Sequence, residues 1–253
     1  FSPDGRWLVY RRGEPGQEQL FGISVADLPV GEAEQLTEGE AGIEQWDFSP
    51  DGGRIYFVRP DEFDEDEKLR LEEGFTVDVK NATTPLSGLW SLDIVSGTES
   101  PMTTSGSYSV DGFTVSPDGR WISFAGGSTE RYERNITQAR LYTDQYLLEV
   151  SSGQVERLTD NYEVGESGLS FSPDSRWIAF TAPDDMERYS MTNSRMYVRA
   201  VDDRDGSFRK IGTEFDENIR AGFWSDDAST IYFNAGVTVT TQLHAMDVQT
   251  GQV

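Results

Sequence analysis

Phe1-Ser2-Pro3-Asp4-Gly5-Arg6-Trp7 returns along the chain as Phe48-Ser49-Pro50-Asp51-Gly52-Gly53-Arg54, Val115-Ser116-Pro117-Asp118-Gly119-Arg120-Trp121 and Phe171-Ser172-Pro173-Asp174-Ser175-Arg176-Trp177. Trp224-Ser225-Asp226-Asp227 is a degraded fifth copy. The serines stand at 2, 49, 116, 172 and 225, at spacings of 47, 67, 56 and 53 residues. Each copy encodes a tight turn. Proline presets φ at the second turn position, aspartate bonds neighbouring backbone N–H groups, and glycine accepts positive φ.

Alternating apolar residues follow every turn: Trp7-Leu8-Val9-Tyr10, Ile55-Tyr56-Phe57-Val58, Trp121-Ile122-Ser123-Phe124, Trp177-Ile178-Ala179-Phe180 and Ile231-Tyr232-Phe233. Their β-branched and aromatic content reads as strand. A second unit, an alternating strand ending at a glycine turn, spans Leu89 to Gly97, Tyr146 to Gly153 and Leu243 to Gly251. Return strands then close on Leu36-Thr37, Met102-Thr103 and Leu158-Thr159. One repeat is therefore a four-stranded antiparallel unit, and repetition at this period predicts an all-β chain built as a β-propeller of about five blades. A β-sandwich would not copy one motif five times. The expected blades cover about 1–40, 41–106, 107–162, 163–215 and 216–253. The first copy begins at its turn and the chain stops just inside the last strand of the fifth unit, so the first and last blades are read as incomplete, and a ring closed on them would leave the unpaired strand edges that native proteins avoid. On that reading the chain is a fragment of a seven- or eight-bladed ring.

The chain carries 45 acidic against 21 basic residues, a formal charge of −24, which repels nucleic acid and anionic lipid. Neither is an expected partner, and no apolar stretch approaches the roughly 20 residues of a membrane span. Cysteine is absent, which excludes a disulfide framework, a thiolate metal site and a cysteine nucleophile. The opening residues lack the pattern of a signal peptide. The compartment stays open, with periplasm or exterior favoured over cytoplasm.

The pattern F-S-P-D-G-R-W-I-x-F, followed by a strand, a glycine turn and a closing Leu-Thr, resembles the propeller repeats of TolB and of the prolyl oligopeptidase family of serine peptidases. It runs through nearly the whole chain. The segments Asn81-Ala82-Thr83-Thr84-Pro85-Leu86 and Glu130 to Thr137 look more like the dipeptidyl aminopeptidase and acylaminoacyl peptidase branch. That resemblance implies a non-catalytic propeller that gates and helps to bind peptide substrate for a C-terminal α/β-hydrolase domain of the same polypeptide. A TolB-like interaction propeller without enzymatic activity is the alternative.

No catalytic residue is expected within the segment. The nearest string to a nucleophile elbow, Gly22-Ile23-Ser24-Val25-Ala26, lacks the second glycine and lies in a strand pattern. The single histidine, His244, also sits in a strand, and nothing in the sequence marks a serine and carboxylate to go with it. No cofactor or metal is implied. The acidic run from Asp61 to Glu67 lacks the glycine and spacing of a calcium loop and reads as a solvated segment, with a short helix over Glu65 to Glu73.

Long loops join the second and third strands in three repeats, at Arg59 to Gly88, Gly126 to Arg140 and Ala182 to Arg195. Loops sharing a rim are natural contact sites. Two carry Glu-Arg-Tyr, as Glu130-Arg131-Tyr132 and Glu187-Arg188-Tyr189. Arginine grips a carboxylate in bidentate fashion and glutamate pairs with an ammonium, so these residues, with Arg134, are the candidate peptide contacts. A salt-bridge network that merely stiffens the loops explains the same residues.

Overall fold

The computed structural model describes residues 1–26, 31–63, 65–75, 85–104, 106–127, 143–160, 166–185, 191–204, 206–220 and 222–253. Among them, five antiparallel sheets carry nearly all the regular structure. The first holds β1 (Trp7–Arg12), β2 (Gln19–Ser24) and β3 (Glu34–Gln35); the second holds β4 (Gln45–Phe48), β5 (Arg54–Pro60), β6 (Ser87–Asp93) and β7 (Thr98–Pro101). The third comprises β8 (Ser109–Val115), β9 (Trp121–Gly127), β10 (Asp144–Glu149) and β11 (Val155–Arg157). The fourth comprises β12 (Ser167–Phe171), β13 (Trp177–Pro183), β14 (Ser194–Ala200) and β15 (Arg209–Ile211), and the fifth β16 (Phe223–Trp224), β17 (Thr230–Val237) and β18 (Thr240–Asp247). In each sheet the strands lie in chain order, the meander of a propeller blade. The fold is the all-β propeller that the repeats predict.

The recurring turn is built the same way five times. Ser2, Ser49, Ser116, Ser172 and Ser225 donate their hydroxyls to Asp4, Asp51, Asp118, Asp174 and Asp227 at 2.6–2.7 Å. Each serine oxygen in turn accepts the backbone N–H five residues on, at Trp7, Arg54, Trp121, Trp177 and Thr230, at 2.9–3.0 Å. Each aspartate accepts the N–H two residues on. The residue after the aspartate takes a left-handed φ: Gly5 at 73°, Gly52 at 73° and Gly119 at 71°, then Ser175 at 59° and Ala228 at 58° in the two copies without that glycine.

The Leu-Thr ends have a defined task. The hydroxyls of Thr37, Thr103 and Thr159 accept the N–H groups of Leu20, Leu89 and Gln145 at 2.9–3.0 Å. Each outer strand thus continues its ladder through a side chain, beyond the last backbone bonds from Leu36 to Leu20, Met102 to Leu89 and Leu158 to Gln145.

The chain divides into two compact units, Phe1–Phe113 with Gly126–Ala139, and Thr114–Ala125 with Arg140–Val253. In the first, Val9, Leu20, Ile43, Phe48, Ile55, Phe57 and Leu92 form a core between the first and second sheets. In the second, Met196, Val198, Ile211, Ile219, Ile231, Phe233 and Met246 fill the space between the fourth and fifth. Ile55 and Phe57 of β5 face this first core, and Tyr56 and Val58 between them are buried as well, so both faces of the second sheet are covered.

The expected short helix is α1 (Glu65–Glu72). Acidic residues open it and Arg70 lies in its last turn, in keeping with the helix dipole. Lys68 ties it down through Glu40 and Glu62, each at 3.0 Å.

Candidate functional site

An antiparallel meander alternates its connections between two ends. The Ser-Pro-Asp turns and the glycine turns share one end of each sheet, so the long loops leave from the other. In the second sheet β5 and β6 stay paired as far as Pro60 and Ser87. The Asp61 N–H then donates to the Leu86 carbonyl at 2.8 Å, and residues 61–86 emerge from that gate.

Beside the gate is a cavity of about 430 Å³, lined by Asp61, Leu86, Ser87, Gly88, Trp90, Pro101, Met102, Thr103, Thr104 and Tyr108. Trp90 is held in place from several sides. Its ring stacks on Phe57 at 6.5 Å, and the Arg59 guanidinium lies over it at 4.6 Å. Arg59 is fixed by Glu99 at 3.0 Å and by the Glu38 carbonyl at 2.8 Å. Gly88 lies close beside the indole: a Cβ there would stand 3.3 Å from Trp90 Nε1, a tight contact.

In the second unit, β13 and β14 pair as far as Pro183 and Ser194. The Asp184 N–H donates to the Asn193 carbonyl at 2.9 Å and closes the base of the loop that follows. The Asp184 carboxylate receives Lys210 Nζ at 2.6 Å and has Arg195 Nε at 3.7 Å, an ion pair without a hydrogen bond. The hydrogen bond that Lys210 donates to Asp184 raises the pKa of its ammonium above the ordinary value, against the opposing effect of burial. Arg195 Nη1 also donates to the Ser194 and Glu217 carbonyls, and the Ser194 N–H donates to Asn218 Oδ1 at 2.8 Å. This loop therefore stands on a rigid, charge-paired base.

The same face of β14 carries Arg199, 5% exposed, which donates to Glu156 Oε1 at 2.8 Å and lies over the Phe208 ring at 5.0 Å. Tyr197, between the two arginines, donates to the Pro183 carbonyl at 2.9 Å, and burial pushes its phenol pKa up.

Of the candidate contacts, Glu130, Arg131, Tyr132 and Arg134 lie in 128–142 and Glu187, Arg188 and Tyr189 in 186–190, outside the described residues. Only the bases of their loops are in view. His244 is half-buried between Phe215, with ring centroids 4.9 Å apart, and Phe233, at 5.5 Å. Its buried Nε2 has no hydrogen-bond partner among the described residues. In the acidic run, Glu62 and Glu65 face Lys68, and among the described residues no group of three or more His, Asp or Glu is placed to hold a metal ion. Sequence reasoning missed both the Trp90 cavity and the Asp184 base. Each is assembled from strand ends and the connection out of the outermost strand, residues with no motif in common.

No family model matches the chain, and no curated protein matches it in sequence. Solved structures do match. A putative TolB from Agrobacterium tumefaciens is 21% identical with a TM-score of 0.55, over 98% of this chain and 75% of that one. An oligogalacturonate lyase from Vibrio parahaemolyticus is 13% identical with a TM-score of 0.63, over 98% of this chain and 61% of that one. An acylaminoacyl peptidase from Pyrococcus horikoshii is 17% identical with a TM-score of 0.59, over 98% of this chain and 36% of that one. The chain thus spans about a third to three quarters of the length of these structures, and what it shares with all three is the propeller fold.

Proposed function

We propose that this chain is a non-catalytic propeller whose loop-bearing end binds peptide and limits its access to the α/β-hydrolase domain of a serine peptidase. On this reading the hydrolase domain lies C-terminal in the same polypeptide, and the five blades follow the repeat boundaries given above. The observation that carries the proposal is the asymmetry of the sheets. In the second and fourth sheets the connections of residues 61–86 and 184–193 start from bases closed by backbone hydrogen bonds, at the end opposite the Ser-Pro-Asp turns. A gate needs such an arrangement: variable, polar loops on an immobile frame.

Glu130, Arg131, Tyr132, Arg134, Glu187, Arg188 and Tyr189 are the peptide contacts in this proposal, with the arginines gripping carboxylate or backbone carbonyl groups. The strong negative charge of the chain favours peptides without excess acidic residues. A TolB-like interaction propeller is the second reading, favoured by the match to TolB over most of both chains.

The test is kinetic. In the full-length protein, Arg131→Ala and Arg188→Ala should each raise KM for short peptides with kcat little changed, the mark of lost uniform binding. Unchanged KM in both variants overturns the assignment. A full-length protein without peptidase activity that still captures a folded protein partner favours the second reading.

A further inference from the structure

We propose that the outer edge of β18 is a strand-acceptor site for an extended peptide in which leucine or methionine is followed by threonine. The site lies apart from the loop-bearing end and does not rest on the gating role. The second, third and fourth sheets have four strands, whereas among the described residues no strand lies beyond β18 in the fifth. This edge is eight residues long and carries neither proline nor lysine, the residues that commonly protect an exposed edge from pairing.

The other sheets give the register. The glycine turn is bonded alike in three of them: Gly97, Gly153 and Gly251 donate their N–H groups to the carbonyls of Asp93, Glu149 and Asp247 at 2.8–2.9 Å. Four residues before those acceptors, Leu89, Gln145 and Leu243 therefore hold one equivalent position. Glu149 and Asp247 each donate outward, to the Gln154 and Gln252 carbonyls, both at 2.9 Å. Alternate residues of a strand turn their backbone groups to the same side, so Leu243 and Ala245 offer theirs to that outer edge too.

Three precedents within the chain then name the ligand. The Gln145 N–H donates to Thr159 Oγ1 at 2.9 Å, and the Gln145 carbonyl accepts the Leu158 N–H at 2.7 Å. Leu89 is bonded in the same two ways by Thr103 and Met102, and Leu20 by Thr37 and Leu36. Side chains agree with the backbone. Beside their outer strands Leu20 and Leu89 are fully buried and Gln145 is 5% exposed, whereas Leu243 is 61% exposed. An incoming leucine or methionine stands opposite Leu243, as Leu36 does opposite Leu20, and forms a cross-strand apolar pair there. Main-chain bonds supply the affinity of such strand addition, and the leucine–threonine pair supplies the selectivity.

The experiment titrates the nitrogen-15-labelled chain, up to millimolar peptide, with acetyl-Glu-Arg-Leu-Thr-Asp-amide, the sequence of Glu156 to Asp160. Amide shifts at Leu243 and Ala245 should move saturably, and hydrogen exchange at the Leu243 amide should slow. Replacing the peptide threonine by valine removes the acceptor for the Leu243 N–H and should weaken binding about tenfold. Replacing the peptide leucine by aspartate should abolish it. Absence of saturable binding, shifts centred away from Leu243 and Ala245, or equal affinity for the threonine and valine peptides overturns the proposal. Leu243 exchange that slows with rising protein concentration in the absence of peptide would give the edge to a second copy of the chain, and would overturn it as well.

Discussion

Ser225 donates its hydroxyl to Asp227 at 2.7 Å, although the proline between serine and aspartate in the other four copies is Asp226 here. The turn therefore depends on the serine–aspartate pair more than on the proline. Proline presets one dihedral angle; the pair closes several hydrogen bonds at once.

Burial should decide what each serine is worth. Ser116 is fully buried and its oxygen accepts the N–H of Trp121, itself 3% exposed. Ser116→Ala orphans that donor and should cost about 1–3 kcal/mol. Ser225→Ala, at a more exposed turn, should cost less. Urea unfolding midpoints of the two variants check the order, and equal losses would rule out burial as the cause.

Acid should loosen the turns. The Ser225 hydroxyl bond, with two further bonds from Ser229, holds the Asp227 carboxyl down at about 2. Asp4 and Asp51 are also lowered, first by Ser2 and Ser49. An unfolded aspartate takes up its proton near pH 3.9, roughly, so below that pH the unfolded chain binds more protons than the folded one. The contribution is therefore complete above about pH 5 and is lost as pH falls toward 2. Unfolding midpoints measured across this window should fall less steeply for Asp227→Asn than for wild type. A slope unchanged by the substitution excludes this carboxylate as a source.

Thr37 is fully buried, and its hydroxyl accepts the Leu20 N–H while donating to Gln19 Oε1 at 2.9 Å. The near-isosteric change Thr37→Val should cost about 1–3 kcal/mol, by leaving a buried backbone donor unpaired. Thr37→Ser should recover most of it. Hydrogen exchange at the Leu20 amide reports the effect locally: protection should drop in the valine variant and persist in the serine one.

The left-handed turn position should respond asymmetrically. A Cβ at Gly5 meets nothing within 4 Å, so Gly5→Ala adds only backbone strain at φ 73° and should destabilise by about 1 kcal/mol. Ala228→Gly relieves similar strain at φ 58° but strips a methyl group from the core beneath the fifth sheet, a loss of about 0.8 kcal/mol. The two terms nearly cancel, and thermal unfolding should place this variant close to wild type.

Glu156 is the one hydrogen-bonded side-chain partner of Arg199 among the described residues, and Arg199 Nε and Nη2 have none. Glu156→Ala should therefore strand a buried guanidinium and cost about 3 kcal/mol, whereas Arg199→Met, which removes the charge and keeps the contact with Phe208, should cost clearly less. Denaturant midpoints that reverse this order would show that the ion pair itself is the stabilising element.

The turns were legible because their chemistry is local: every bond of the Ser-Pro-Asp motif falls within a few residues, so the motif survives as a string. The strands were legible for the same reason, and the short helix followed from a run of helix formers between Asp61 and Gly74. Arg195 and Arg199 were not. They alternate with Met196 and Val198 in β14, and no motif marks them, yet both are 5% exposed, because the polar stripe of this strand is covered as well as its apolar one. The Trp90 cavity was hidden by distance: Leu86, Trp90 and Tyr108 come from a loop base, a strand and the connection out of the outermost strand.

The fifth sheet joins Val237 to Thr240 by a two-residue reversal, where the second sheet accommodates residues 61–86 at the corresponding place. At the serine–aspartate end both sheets keep the same hydrogen bonds, although Asp226 and Ala228 replace the proline and glycine in the fifth. Each sheet keeps its own fastening and tolerates almost any length opposite it, so insertions can be tried, kept or discarded there without renegotiating the frame. New specificities on this scaffold should be sought, and engineered, in the segments that the hydrogen-bond inventory of the turns never touches.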